Sequence, residues 1–164
     1  MNDLFSLENV VAVVTGALGN LGPVWIGALL QAGARVMGID RPGQPAGTAF
    51  AALQEQYGEG RLRLAAADVR ERKPVEAALA ECMRAFGVPS VLVNNAGIDQ
   101  PPSRQSGACR MEEIPLAVNR EIFEVNTLGL FLVSQVFGAA MVKAGYGSID
   151  RKSTRLNSSH VSQS

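Results

Sequence analysis

At 164 residues the chain is long enough for one domain of ordinary size, and 47% hydrophobic with 18% charged residues suits a globular protein with a real core. Fifteen Lys and Arg balance fifteen Asp and Glu, so nothing points to nucleic acid or an anionic membrane as a partner. Cys82 and Cys109 are isolated and match no metal or redox spacing, so no metal site is expected; with no basic segment ahead of an apolar one at the N-terminus, a cytoplasmic chain is expected.

In chain order, Val10 to Val14 form an apolar run without alternation, as in a parallel strand buried on both faces. Gly16, Gly19 and Gly22 follow at spacing three, and Pro23 suits a first helical turn. Leu21, Val24, Leu29 and Leu30 give the helix an apolar side, and Gly33 reads as its C-terminal cap. Val36, Met37 and Ile39 make a second strand that ends at Asp40. Strand, glycine turn, helix, strand and acid in this order make a dinucleotide-binding fingerprint.

The physical reason is close approach: a pyrophosphate needs bare backbone N–H groups and the positive end of a helix dipole. A Cβ at the glycine positions would hold it away. The Asp40 carboxylate can accept hydrogen bonds from both ribose hydroxyls and would repel a 2′-phosphate, so NAD is expected over NADP. Arg41 weighs the other way, because a guanidinium there could pair with that phosphate. The plainer alternative is a tight turn in an α/β domain with no ligand.

RPGQPAG after Ile39-Asp40 is a loop; Thr48 to Tyr57 reads as a helix with Phe50 and Leu53 on one side. Leu62, Leu64 and Ala66 suggest a third strand leading to Asp68-Val69. Pro74 to Phe86 is a helix in which Val75, Ala78, Leu79, Cys82 and Phe86 recur at helical spacing, which makes Cys82 core filling. Ser90 to Val93 is a fourth strand, closed by Asn94-Asn95-Ala96-Gly97. A long polar loop is expected from Ile98 to about Arg110, then a short stretch around Glu112, then a helix from roughly Asn119 to Ala144. Val125 to Val142 carries no charge, but its Asn126, Thr127, Ser134 and Gln135 favour a buried helix over a membrane span. The alternation implies an α/β fold with a doubly wound parallel sheet and right-handed crossovers.

Thr15-Gly16…Gly22, Asp40, Asp68-Val69, Asn94-Asn95-Ala96-Gly97, and Asn126 in FEVNTLGLFLVSQVF together resemble the short-chain dehydrogenase/reductase family, from about Leu7 to Ile149. The resemblance implies a Rossmann fold and an NAD(P)-dependent oxidoreductase acting on a small alcohol or carbonyl. It implies a cofactor site made by Gly16, Gly19, Asn20, Leu21, Gly22, Asp40 and Arg41. Asp68 and Val69 would surround the adenine ring; Asn94, Ala96 and Gly97 would line the nicotinamide side and brace the sheet. Asn126 would be the catalytic-set asparagine that positions an active-site lysine through water. The intact parent would be a homodimer or homotetramer. One departure is that Asn20 stands where the commonest pattern has glycine, giving TGxxGxxG, a spacing more usual in extended, epimerase-like relatives. A sugar-nucleotide epimerase or dehydratase relative, and a non-catalytic dinucleotide-binding module, therefore stay open.

The family transfers hydride with Ser and a Tyr-x-x-x-Lys pair. Here Tyr57 is followed four places on by Arg61, and Tyr146 by Asp150, so neither supplies the pair. From residue 150 the chain turns polar, and Asp150 to His160 can be encoded by a widely used sequencing-library adapter. Residues 1–149 are therefore expected to be the N-terminal part of a Rossmann domain, and 150–164 a non-native or disordered tail. Four strands in the order 3-2-1-4 are expected, with the fourth strand an exposed edge, the last helix uncovered on one face, and no turnover.

Overall fold

A computed structural model describes residues 6–98 and 114–151. The expected loop beyond Ile98, the stretch around Glu112, Cys109 and His160 lie outside the described residues. The elements run β1 (Val11–Thr15), α1 (Gly22–Gln31), β2 (Arg35–Asp40), α2 (Thr48–Tyr57), β3 (Leu62–Ala66), α3 (Arg72–Ala85), β4 (Val91–Asn94), α4 (Leu116–Phe123), a π-helical turn (Glu124–Gly129), α5 (Leu130–Ala144) and β5 (Ser148–Arg151). The strands form one parallel sheet in the order β3-β2-β1-β4-β5.

β1 is buried along its whole length, and alternate residues feed two cores, as period-2 side-chain alternation requires. Ala12, Val14 and Val36 meet Ile26 and Leu30 of α1 and Phe50 of α2 on one face. Val11, Val13, Met37 and Ile39 meet Val75, Ala78 and Cys82 of α3 and Val133, Phe137 and Met141 of α5 on the other. Cys82 is the core filler expected of it; burial pushes its thiol up to about 12, away from thiolate chemistry.

Two sequence expectations are corrected. The buried side of α1 is Gly22, Ile26, Gly27 and Leu30, whereas Leu21 and Val24 are exposed. Helical spacing finds an apolar stripe but not which stripe has a neighbour; Gly22 lets the start of the helix lie close, whereas a Cβ on Gly27 would make only an ordinary contact with Leu53 at 3.7 Å. The second correction is the fifth strand. Ser148–Arg151 pairs in parallel with Val91–Asn94, and Ser148 N–H donates to Ser90 O at 2.8 Å. The polar composition hid it, because an edge strand is held by its backbone ladder and needs no apolar side chains. β4 is therefore an interior strand, and the exposed edge belongs to β5.

The helix expected from Asn119 starts at Leu116 and changes to π-helical winding at Glu124. Leu116–Ala144 spans 29 residues and is apolar enough to cross a membrane by length and composition. It lies against the sheet through Val133, Val136, Phe137 and Met141, but it is not wholly buried: Phe131 and Val142 are 59% and 82% exposed. The C-terminus of α1 is tied to β3 by Arg61, whose Nη2 donates to Leu30 O at 2.6 Å and Ala34 O at 3.0 Å.

Candidate nucleotide site

The site is built at the carboxyl ends of β1, β2 and β3. Gly16 turns the chain out of β1 with φ of +65°, and a Cβ there would lie 2.8 Å from Ala96 Cα. Both facts require glycine. A Cβ on Gly22 would lie 2.4 Å from the carbonyl oxygens of both Gly16 and Ala17, so the first turn of α1 is seated directly under the loop. At Gly19 the same test finds only Gly16 O, at 3.3 Å, and otherwise open space. Gly16 and Gly22 thus serve the fold, and Gly19 keeps a side clear.

α1 has Pro23 in its first turn and no side chain capping its N-terminus. Its first N–H groups are thus available to a phosphate. Asp40 turns back toward this loop: Oδ2 accepts from Leu18 N–H at 2.8 Å and Oδ1 from Arg41 N–H at 2.8 Å. A carboxylate has about four acceptor positions, so each oxygen keeps one for a ligand hydroxyl. Gln44 lies against the Arg41 guanidinium, with its amide oxygen turned to accept from Nε and Nη2.

A cleft of about 230 Å³ joins these parts. Gly16, Gly19, Asp40, Arg41, Asp68, Val69, Ala96 and Gly97 all line it, as does Arg70. Asp68 is clamped by Arg70 in a fork, with Nε–Oδ1 at 2.9 Å and Nη2–Oδ2 at 2.6 Å. The Arg70 backbone N–H also donates to Asp68 Oδ1, at 2.9 Å. That guanidinium holds the Asp68 carboxyl below its ordinary value against a smaller opposing effect of burial, and Asp68 in turn raises Arg70.

Other expected site residues stand elsewhere. Asn20 and Leu21 are exposed on the turn and do not line the cleft, and Gly22 is buried beneath it. Asn94 points into the layer between β4 and α5, where Nδ2 donates to Ser134 Oγ at 3.1 Å; its Oδ1 is buried without a partner. The brace across the sheet is its neighbour Asn95, which donates to Thr15 O at 3.1 Å and Gly16 O at 3.2 Å. Ala96 N–H completes that joint by donating to Thr15 Oγ1 at 3.0 Å. Strand alternation sends two adjacent asparagines to opposite sides, which is the signal that could have separated them. Asn126 sits in the π-helical turn and pairs with the backbone of Ile98 on both sides, N–H to Oδ1 and Nδ2 to O, each at 2.9 Å.

Known proteins agree with this architecture. The family model for short chain dehydrogenases matches residues 10–150. Galactitol 2-dehydrogenase (L-tagatose-forming) of Cereibacter sphaeroides is 34% identical over 89% of this chain and 53% of its own length. D-threitol dehydrogenase of Mycolicibacterium smegmatis is 34% identical over 88% of this chain and 52% of its own. The crystal structure of Levodione Reductase superposes with a TM-score of 0.73 at 25% identity, covering 87% of this chain and 53% of that one. The chain belongs to the short-chain dehydrogenase/reductase family and carries its Rossmann fold. It spans about half the length of the curated relatives it matches. The family implies a nicotinamide dinucleotide as cofactor.

Proposed function

We propose that this chain carries the nucleotide-binding half of an oxidoreductase that uses NAD to interconvert a small alcohol and its carbonyl compound. The observation that carries it is the single cleft into which the Gly16–Gly19 turn, Asp40 and Asp68 all open, with the side of Gly19 left clear. The α1 N-terminus would take the pyrophosphate, the two free acceptor positions of Asp40 the ribose hydroxyls, and Asp68 with Val69 the adenine. The cleft volume suits a nucleoside rather than a whole dinucleotide. The chain therefore accounts for the adenosine end.

When bound, the nicotinamide supplies the hydride donor or acceptor. Asn126 is the one member of the family's catalytic set that the described residues hold, and its amide, fixed by Ile98, would position a lysine. Tyr57 lies beside Arg61, with the guanidinium carbon 5.2 Å from the ring centre, and Tyr146 is exposed after α5, so neither stands at the cleft. By itself the chain is expected to bind dinucleotide without turnover. The names of the relatives support a polyol or hydroxy-ketone as the substrate of the whole protein. The TGxxGxxG spacing keeps an epimerase-like activity as the second reading.

Calorimetric titration of the chain with NAD, NADP and AMP tests the cofactor reading: NAD and AMP should bind and NADP more weakly, because a 2′-phosphate would meet the Asp40 carboxylate. Equal or tighter NADP binding would transfer the decisive role to Arg41. Assaying a full-length protein containing this segment with NAD and galactitol or threitol tests the activity. A sugar nucleotide epimerised without net redox change would support the second reading instead.

A further inference from the structure

We propose that Arg70 is a positioning residue for the nucleoside end of the cleft: it sets the Asp68 carboxylate for its ligand and links that carboxylate to the π-helical turn. The inference rests on the reading that Asp68 receives the adenine. Asp68 is on the connection after β3, and among the described residues the forked pair with Arg70 and the Arg70 backbone N–H orient its side chain. Oδ1 accepts from both the backbone N–H and Nε, each at 2.9 Å, which fills its two positions. The single Nε hydrogen is committed mainly to Oδ1; Oδ2 takes Nη2 at 2.6 Å and only the longer, minor share of that hydrogen at 3.2 Å, and so it keeps a lone pair for a further donor. One particular oxygen is thus offered to an amino group, at a fixed angle. A planar guanidinium can impose this; an ammonium cannot.

The other side of Arg70 faces acidic residues of the helical segment. Nη1 is 4.0 Å from Glu124 Oε2, in the turn that holds Asn126, and Glu121 adds its field. Arg41 faces Asp68 from the β2 side. The same turn is packed on the nucleoside end, since a Cβ on Gly129 would lie 2.7 Å from Val69 Cγ2. Arg70 therefore stands between the acid that meets adenine and the segment that carries Asn126.

The test is a mutant cycle read by NMR titration of the 164-residue chain with AMP and with ribose 5-phosphate, a probe with no adenine. Asp68→Asn should weaken AMP about tenfold, the size of a lost charged hydrogen bond, and leave ribose 5-phosphate unchanged. Arg70→Ala should weaken AMP by a similar factor, and adding it to Asp68→Asn should cause no further loss. Arg70→Lys, which keeps the charge and loses the fork, should behave like Arg70→Ala; it replaces that variant if circular dichroism shows Arg70→Ala to be unfolded. Losses that multiply in the double variant, or an Arg70→Ala chain that binds AMP normally while Asp68→Asn does not, would overturn the role of Arg70. AMP binding untouched by Asp68→Asn would overturn the adenine reading itself, and the inference with it.

Discussion

At the β1–α1–β2 end of the molecule, backbone meets backbone. Gly16 lies against Ala96, Gly22 against two carbonyl oxygens, and a Cβ on Gly38 would sit 2.8 Å from that of Ala17. Along α5, side chains do the holding: Val133, Phe137 and Met141 fasten the helix to the sheet, while Phe131 and Val142 on the same helix face outward. A nucleotide turn made of main-chain contacts needs nothing from outside the segment. α5 has one face covered by the core and one face bare. The contrast lies within a chain that spans about half the length of the relatives it matches.

Four experiments would break or sharpen this contrast. Phe137→Ala removes the largest fully buried side chain of α5 and should cost about 4 kcal/mol in a denaturant titration. A loss below about 1 kcal/mol would mean that α5 is held by something other than its core face. Gly22→Ala should cost about 3 kcal/mol, because its Cβ has carbonyl oxygens on top of it and no flexible side chain to displace. Gly19→Ala, three residues earlier, should cost under about 1 kcal/mol of stability yet weaken NAD about tenfold. Similar stability losses at the two glycines would erase the distinction drawn between them.

The third effect is smaller. Asp68 has a folded-state pKa below the ordinary 3.8, so its pairing adds stability that is present above about pH 4 and is lost as pH falls through the depressed value. Asp68→Asn should flatten the acid limb of the stability curve, and added salt should shrink the difference, since Arg70 is on the surface. An unchanged acid limb would show that the pair is not formed in solution. Smallest of all, Phe131→Ser with Val142→Lys should change stability by no more than about 0.5 kcal/mol while reducing self-association in sedimentation velocity. A large destabilisation there would mean that this face is not free.

β1, the glycine turn, α2 and β3 were legible because each has a local signature: an unbroken apolar run, glycine spacing, or a 3.6-residue stripe. The cleft was partly legible, since Asp40 ends β2 and Asp68 follows the end of β3, on the side where Rossmann folds bind. What escaped depends on neighbours far along the chain. Nothing local says that Leu21 and Val24 face solvent, that Ser148–Arg151 finds a strand to pair with, or that Asn95 rather than Asn94 spans the sheet. Arg70 was the missed lining residue with a readable cue: it stands two places after Asp68, the spacing at which an aspartate folds back on its own backbone.

Asn126 has one more consequence. By giving and taking a hydrogen bond with the same residue, its side chain acts as a spare peptide unit, and Ile98 meets it as it would meet a neighbouring strand. The pair lies beyond the end of β4 and ties the segment that leaves the strand to the helix. That tie hangs from a helix whose winding changes from α to π at Glu124, so a shift of register in the helix there would carry Ile98 with it. The place where the chain leaves the cleft is therefore tied to a helix.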